Sequence, residues 1–91
     1  MSNKTTATLK NWQPYLTSLY GDVYGHSNFE DGISVVTSKI ISVAKISDSF
    51  IVETRNTVYM CMFEDVHKDL CNYSVDELWE QLQKTVDNEN L

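Results

Sequence analysis

The chain predicts an α+β domain, an antiparallel β-meander flanked by an N-terminal and a C-terminal helix, and three observations predict it. Apolar residues recur at helical spacing near both ends. The middle is built of runs rich in Val, Ile, Thr, Tyr and Phe, as strands are. Short clusters of Gly, Asp, Asn and Ser punctuate those runs as turns. Ninety-one residues are too few for two cores, so residues 1–91 make one domain, with the sheet curled as a small barrel or packed flat.

Taken in order, residues 1–6 are polar and read as a flexible tail. Leu9, Trp12, Leu16, Leu19 and Tyr20 then fall on one helical stripe. Pro14 interrupts that stripe unless it lies in the first turn, so the helix is expected to start near Asn11 or Trp12 and to end at Gly21. The stretch 21–32 carries turn chemistry at both ends, with Asp31-Gly32 the stronger signal. Strands are predicted at 33–37, 40–46, 50–55 and 57–63, joined through Ser47-Asp48-Ser49 and a tight hairpin at Arg55-Asn56-Thr57. Along the last strand Val58, Met60 and Met62 share one face and Tyr59, Cys61 and Phe63 the other. Both faces are apolar, which predicts a central strand covered on both sides.

Helical spacing returns with a short stripe of Phe63, Val66 and Leu70. Ser74-Val75-Asp76-Glu77 is a capping box, and Val75, Leu78, Trp79, Leu82 and Val86 follow on one face of a helix over 74–86. Leu78, Trp79 and Leu82 are expected to dock it on the sheet.

Charge divides the chain. Before residue 64, Asp22, Glu30, Asp31, Asp48 and Glu53 balance Lys4, Lys10, Lys39, Lys45 and Arg55. After it, Glu64, Asp65, Asp69, Asp76, Glu77, Glu80, Asp87 and Glu89 face only Lys68 and Lys84, so the net charge of −6 resides in the last third. A one-sided acidic field repels phosphate and attracts basic surfaces, which excludes direct nucleic-acid binding. No apolar run is long enough to span a membrane and the first twelve residues carry no apolar stretch, so no secretory signal, no membrane partner and a cytoplasmic location in a host cell are expected. Cys61 and Cys71 are too few for a disulfide framework.

No cofactor and no catalytic residue is expected. Cys61, His67 and Cys71 are spaced more widely than the Cys pairs of zinc sites, and they read as two small thiols and a surface imidazole. His26, Ser27 and Asn28 crowd one short loop, where they satisfy local backbone groups rather than form a nucleophile–base pair. Two binding surfaces remain. Asp65, Asp69, Asp76, Glu77 and Glu80 would present carboxylates to a basic protein groove, where phosphates would otherwise stand. Alternatively Tyr24, His26, Arg55, Asn56 and Tyr59 gather polar and aromatic groups near strand ends, suited to a small ligand.

The residues Gly21-x-Val23-x-Gly25-His26, Phe29-x-Asp31-Gly32, Thr37-Ser38 and Thr54-Arg55-Asn56-Thr57-x-Tyr59 together resemble a pattern in small phage and prophage proteins. That resemblance implies a context in which small acidic proteins inhibit bacterial defence, as anti-CRISPR or anti-restriction proteins do, or sequester defence signalling nucleotides. The expectation is therefore a non-enzymatic inhibitor that binds a basic surface of a bacterial defence protein through the acidic last third. The alternative is an oligomeric nucleotide-binding or sponge protein, which keeps a homo-oligomer open.

Overall fold

The structure, a computed structural model, describes residues 4–87. Six strands form one open sheet: β1 (Thr5–Tyr15), β2 (Ser18–Tyr24), β3 (Ile33–Val36), β4 (Ile40–Ile46), β5 (Ser49–Thr54) and β6 (Thr57–Met62), in the order β3-β2-β1-β6-β5-β4. Two single 3-10 turns, Phe63–Asp65 and Lys68–Leu70, lead to one helix, α1 (Val75–Asp87). The α+β character holds, but the sheet is mixed rather than a pure meander, because β1 runs parallel to β6 from Thr5↔Thr57 to Leu9↔Cys61. It is not closed into a barrel, since β3 and β4 are both edges. Thr5 and Thr6, assigned to a tail from sequence, are the first paired residues of β1.

No N-terminal helix forms; that segment is a bulged hairpin. Lys10 pairs with Asp22 and Gln13 with Tyr20, so Asn11 and Trp12 together stand opposite Gly21. Asn11 adopts φ 56°, the left-handed conformation that asparagine tolerates better than most residues. Gly21 suits the crowding there: a Cβ would lie 3.1 Å from the Lys10 carbonyl oxygen and 3.1 Å from Trp12 Cα, so the bulge would have to give by a few tenths of an ångström. The bulge resets the side-chain alternation, so Leu9 and Trp12, three residues apart, both turn inward. After the hairpin Leu19 also points inward, while Leu16 sits at the turn, 78% exposed. An i, i+3, i+10 pattern thus arises from a bulge and a turn rather than a helical period. Pro14 is accommodated because pairing with β6 ends at Leu9, leaving no ladder partner on that side to lose.

The core lies on one side of the sheet. Leu9, Trp12, Leu19, Val23, Phe50, Val52 and Cys61 are fully buried there. Leu78 and Leu82 close over them from α1, with Val75, Trp79 and Val86 at the margin, so the helix docks as its sequence predicts. Phe50 is the hub, 5.9 Å edge-on from Trp12, 5.9 Å stacked on Trp79 and 4.8 Å from Phe63. The Trp12 indole donates to the Met62 carbonyl at 2.8 Å and the His67 amide donates to the Trp12 carbonyl at 2.8 Å, which tether the 3-10 turns. The capping box forms in both directions: Glu77 N–H donates to Ser74 Oγ at 3.1 Å and Ser74 N–H to the Glu77 carboxylate at 2.8 Å.

β6 is central, yet it is not covered on both sides. Tyr59 and Cys61 face the core, whereas Met60 is 43% exposed on the opposite face. One helix can cover only one face, and the hairpin that replaces the N-terminal helix joins the sheet itself.

Candidate functional site

α1 shields only part of the core-side face, against β4 and β1. Where it stops, the β2–β3 connection folds over the same face and encloses a cleft of about 300 Å³ lined by Thr5, His26, Asn28, Phe29, Val35, Val36, Thr37, Ser38, Asn56, Thr57 and Tyr59. The connection can fold back because Gly25 and Gly32 both take positive φ, 76° and 91°. Asp31 Oδ1 accepts the Gly25 amide at 2.8 Å and the Gly32 amide donates to the Val23 carbonyl at 2.7 Å, closing the loop on β2. Its floor comes from the parallel pairing, which sets Thr5 beside Thr57 and Ala7 beside Tyr59.

His26 is the organising side chain. It is buried, its ring 4.8 Å from Phe29 and 6.5 Å from Tyr59. The Asn28 amide donates to His26 Nδ1 at 3.0 Å, so the ring proton belongs on Nε2, which lies 3.0 Å from Thr57 Oγ1. Burial pushes the Tyr59 phenol up from its ordinary pKa, and the Thr57 hydrogen bond acts in the opposite direction. Thr57 is itself fixed by Thr54, whose Oγ1 donates to the Thr57 carbonyl at 2.8 Å and accepts the Thr57 amide at 3.1 Å. Among the described residues no buried side-chain N or O lacks a partner. The wall is therefore pre-set, and Asn28 and Asn56, both exposed, are the amides left to meet a ligand.

Of the small-ligand set read from sequence, the structure gathers His26, Asn56 and Tyr59 in this cleft and separates the other two. Arg55 is exposed at the β5–β6 hairpin tip, its amide donating to the Lys39 carbonyl at 3.1 Å. Tyr24 points to the other face of the sheet, where Lys10 stands 5.4 Å over its ring. Thr5, Asn28, Phe29, Thr37, Ser38 and Thr57 are site residues that sequence reasoning did not select. Thr57 was legible in principle, two residues from Tyr59 on the same strand face; Thr5 was not, because nothing local announces a parallel partner fifty residues away.

The acidic set is divided by the same criterion. Asp76 and Glu80 are exposed on α1, one turn apart. Glu77 is exposed too, but its carboxylate is held by the cap. Asp65 is half-buried in the first 3-10 turn, and Asp69 lies in the second, 3.6 Å from His67 Nδ1. Among the described residues, none of Asp65, Asp76, Glu77 and Glu80 forms an ion pair with a lysine or arginine.

The thiols lie in contrasting places. Cys61 is buried in β6, where burial pushes its pKa far up and leaves an unreactive thiol, while Cys71 is exposed. Among the described residues, no three His, Cys, Asp or Glu side chains converge as metal ligands, and no helix is long and apolar enough to cross a membrane.

Compared with protein families, with curated proteins and with solved structures, the chain finds no match.

Proposed function

We propose that the protein is a non-enzymatic binder of a small ligand bearing a planar, uncharged ring, of the nucleobase type, in the cleft between the β2–β3 connection and the β1–β6 floor. The observation that carries this reading is the buried His26–Thr57 hydrogen bond, with Thr57 itself anchored by Thr54, which fixes one wall of the cleft before any ligand arrives. No Asp, Glu, Lys or Arg is among the described residues lining the cleft. Aromatic edges from His26, Phe29 and Tyr59, an apolar wall from Val35, and the Asn28 and Asn56 amides suit a heterocycle with donors and acceptors on its rim. Arg55, exposed next to Asn56, would take a phosphate outside the cleft. The phage-like residue pattern runs through His26, Asn56, Thr57 and Tyr59, which supports a signalling nucleotide of a bacterial host cytoplasm as the ligand and sequestration as the role.

A thermal-shift panel of nucleosides, mononucleotides and cyclic dinucleotides tests it. A ligand at about 100 times its Kd stabilises by about 2.7 kcal/mol, several degrees or more for a domain of this size. Asn56→Ala should abolish the shift and Asp76→Lys should leave it intact. An unmoved Tm across the whole panel overturns the reading.

The second reading, an inhibitor docking on a basic surface of a bacterial defence protein, is favoured by one observation: Asp76 and Glu80 are exposed without a cationic partner among the described residues. The double reversal Asp76→Lys/Glu80→Lys tests it, with Glu77 left in place to keep the cap. Loss of salt-labile capture of a basic partner supports this role, and unchanged capture removes it.

A further inference from the structure

We propose that the uncovered face of the sheet docks a second copy of this chain, sheet against sheet about a two-fold axis. The face carries an apolar centre. Thr6, Thr8, Ile51, Val58, Met60 and Tyr24 line a shallow depression across β2, β1, β6 and β5, and Met60 lies opposite both Thr8 and Ile51 in register. Toward the margins Val36 is 54% and Ile46 56% exposed.

Charge selects the occupant. The ionised groups across the middle of this face are matched within it: Lys4 bonds the Glu53 carboxylate, and Asp22 stands directly opposite Lys10 while accepting from Ser34 Oγ at 2.7 Å, with Asp48 and Glu64 at the far margin beside Met62. The surplus acid belongs to the last third of the sequence, whose described part forms the 3-10 turns and α1. That helix packs on the opposite side of the sheet. A chain of net charge −6 repels its own copy through most approaches. Face to face, two copies bring balanced, apolar-centred surfaces together and keep both acidic helices on the outside. A basic partner would instead be drawn to the helix side, and an anionic surface finds no excess of cations here.

Size is compatible. Six strands about 4.8 Å apart and about 20 Å long offer a face of roughly 24 by 20 Å. That is about 480 Å² per partner, below the roughly 800 Å² of a standard interface and in the range of a weak, reversible one. Two sheets packed in this way form a sandwich with a second, shared core, the threonines allowing close approach and Met60 filling gaps.

Sedimentation velocity of the full chain from about 1 to about 500 μM, in about 50 mM and about 500 mM salt, tests the proposal. The expected result is a reversible species of twice the 10.5 kDa monomer mass, no weaker at high salt because screening relieves the outer acids. Met60→Lys and, separately, Thr8→Lys each place like charges beside the axis and should raise the dissociation constant about tenfold or more, with the strand signature in circular dichroism retained. Three outcomes overturn it: a monomer at every concentration, which hands the face to a different protein; a dimer surviving either folded variant; or a dimer dissolved by salt.

Discussion

On the helix side of the sheet Leu9, Trp12, Phe50, Val52 and Cys61 are fully buried, while their strand neighbours Thr8, Lys10, Ile51, Glu53 and Met60 on the other side stay partly or largely in water. The same six strands supply both surfaces, so the contrast teaches what one helix can and cannot do. It dries out a face made of large apolar side chains and leaves uncovered, on the same face, a cleft whose buried polar groups are all partnered. The other face keeps threonines, paired charges and a few exposed apolar side chains. Stability is concentrated on the first face; the second is free to take a partner.

Truncation breaks this contrast most directly. Phe50→Ala should cost about 3–5 kcal/mol, because it removes the ring on which Trp12, Phe63 and Trp79 converge. Ile46→Ala, 56% exposed, should stay within about 0.5 kcal/mol. Urea unfolding of the pair measures both, and equal losses would abolish the distinction between the faces. Gly21→Ala comes next, at about 1–3 kcal/mol, since the new methyl presses on backbone atoms of the bulge that orients Trp12. A neutral Gly21→Ala would show that the bulge yields and does not hold the core residue in place.

Smaller still is the cap. Ser74→Ala should lower stability by about 1 kcal/mol in chemical denaturation, because the Glu77 amide loses its acceptor. Full stability in that variant would show that docking of Leu78 and Leu82, rather than the cap, sets the helix start. The least effect belongs to the open face. Lys4, chiefly by its hydrogen bond and then by its charge, holds the Glu53 carboxyl below the usual glutamate range. A carboxyl lowered on folding stabilises above its unfolded pKa, and that contribution fades as the pH falls through the folded one. Wild type and Glu53→Gln should therefore differ slightly near neutrality and converge in acid, a difference read from urea midpoints across pH.

Much of the fold was legible. The capping box at Ser74 and Glu77, the apolar stripe of α1, and strands β3 to β6 follow from local rules of spacing and turn chemistry, with edges shifted by a residue or so. The N-terminal third was misread because a bulge at Asn11 and a turn at Leu16 space the inward residues as a helix would. At the site, His26, Asn56 and Tyr59 were legible as polar and aromatic groups near turns. Their partners were not, since Thr5 reaches the cleft only through parallel pairing with β6. Tyr24 was lost to the site by strand parity, although it stands only two residues before His26.

The amino-acid order alone determined the charge split, the capped terminal helix and the four strands after Gly32, because each depends on neighbours within a few residues. Only the tertiary structure decided that β1 lies between β2 and β6, that one face is covered and the other open, and that a histidine loop closes a cleft over the ends of β1 and β6. Those outcomes depend on which distant strands meet, and the free energy that selects among such pairings comes from burying Trp12, Phe50 and their neighbours together, which no short window of sequence contains.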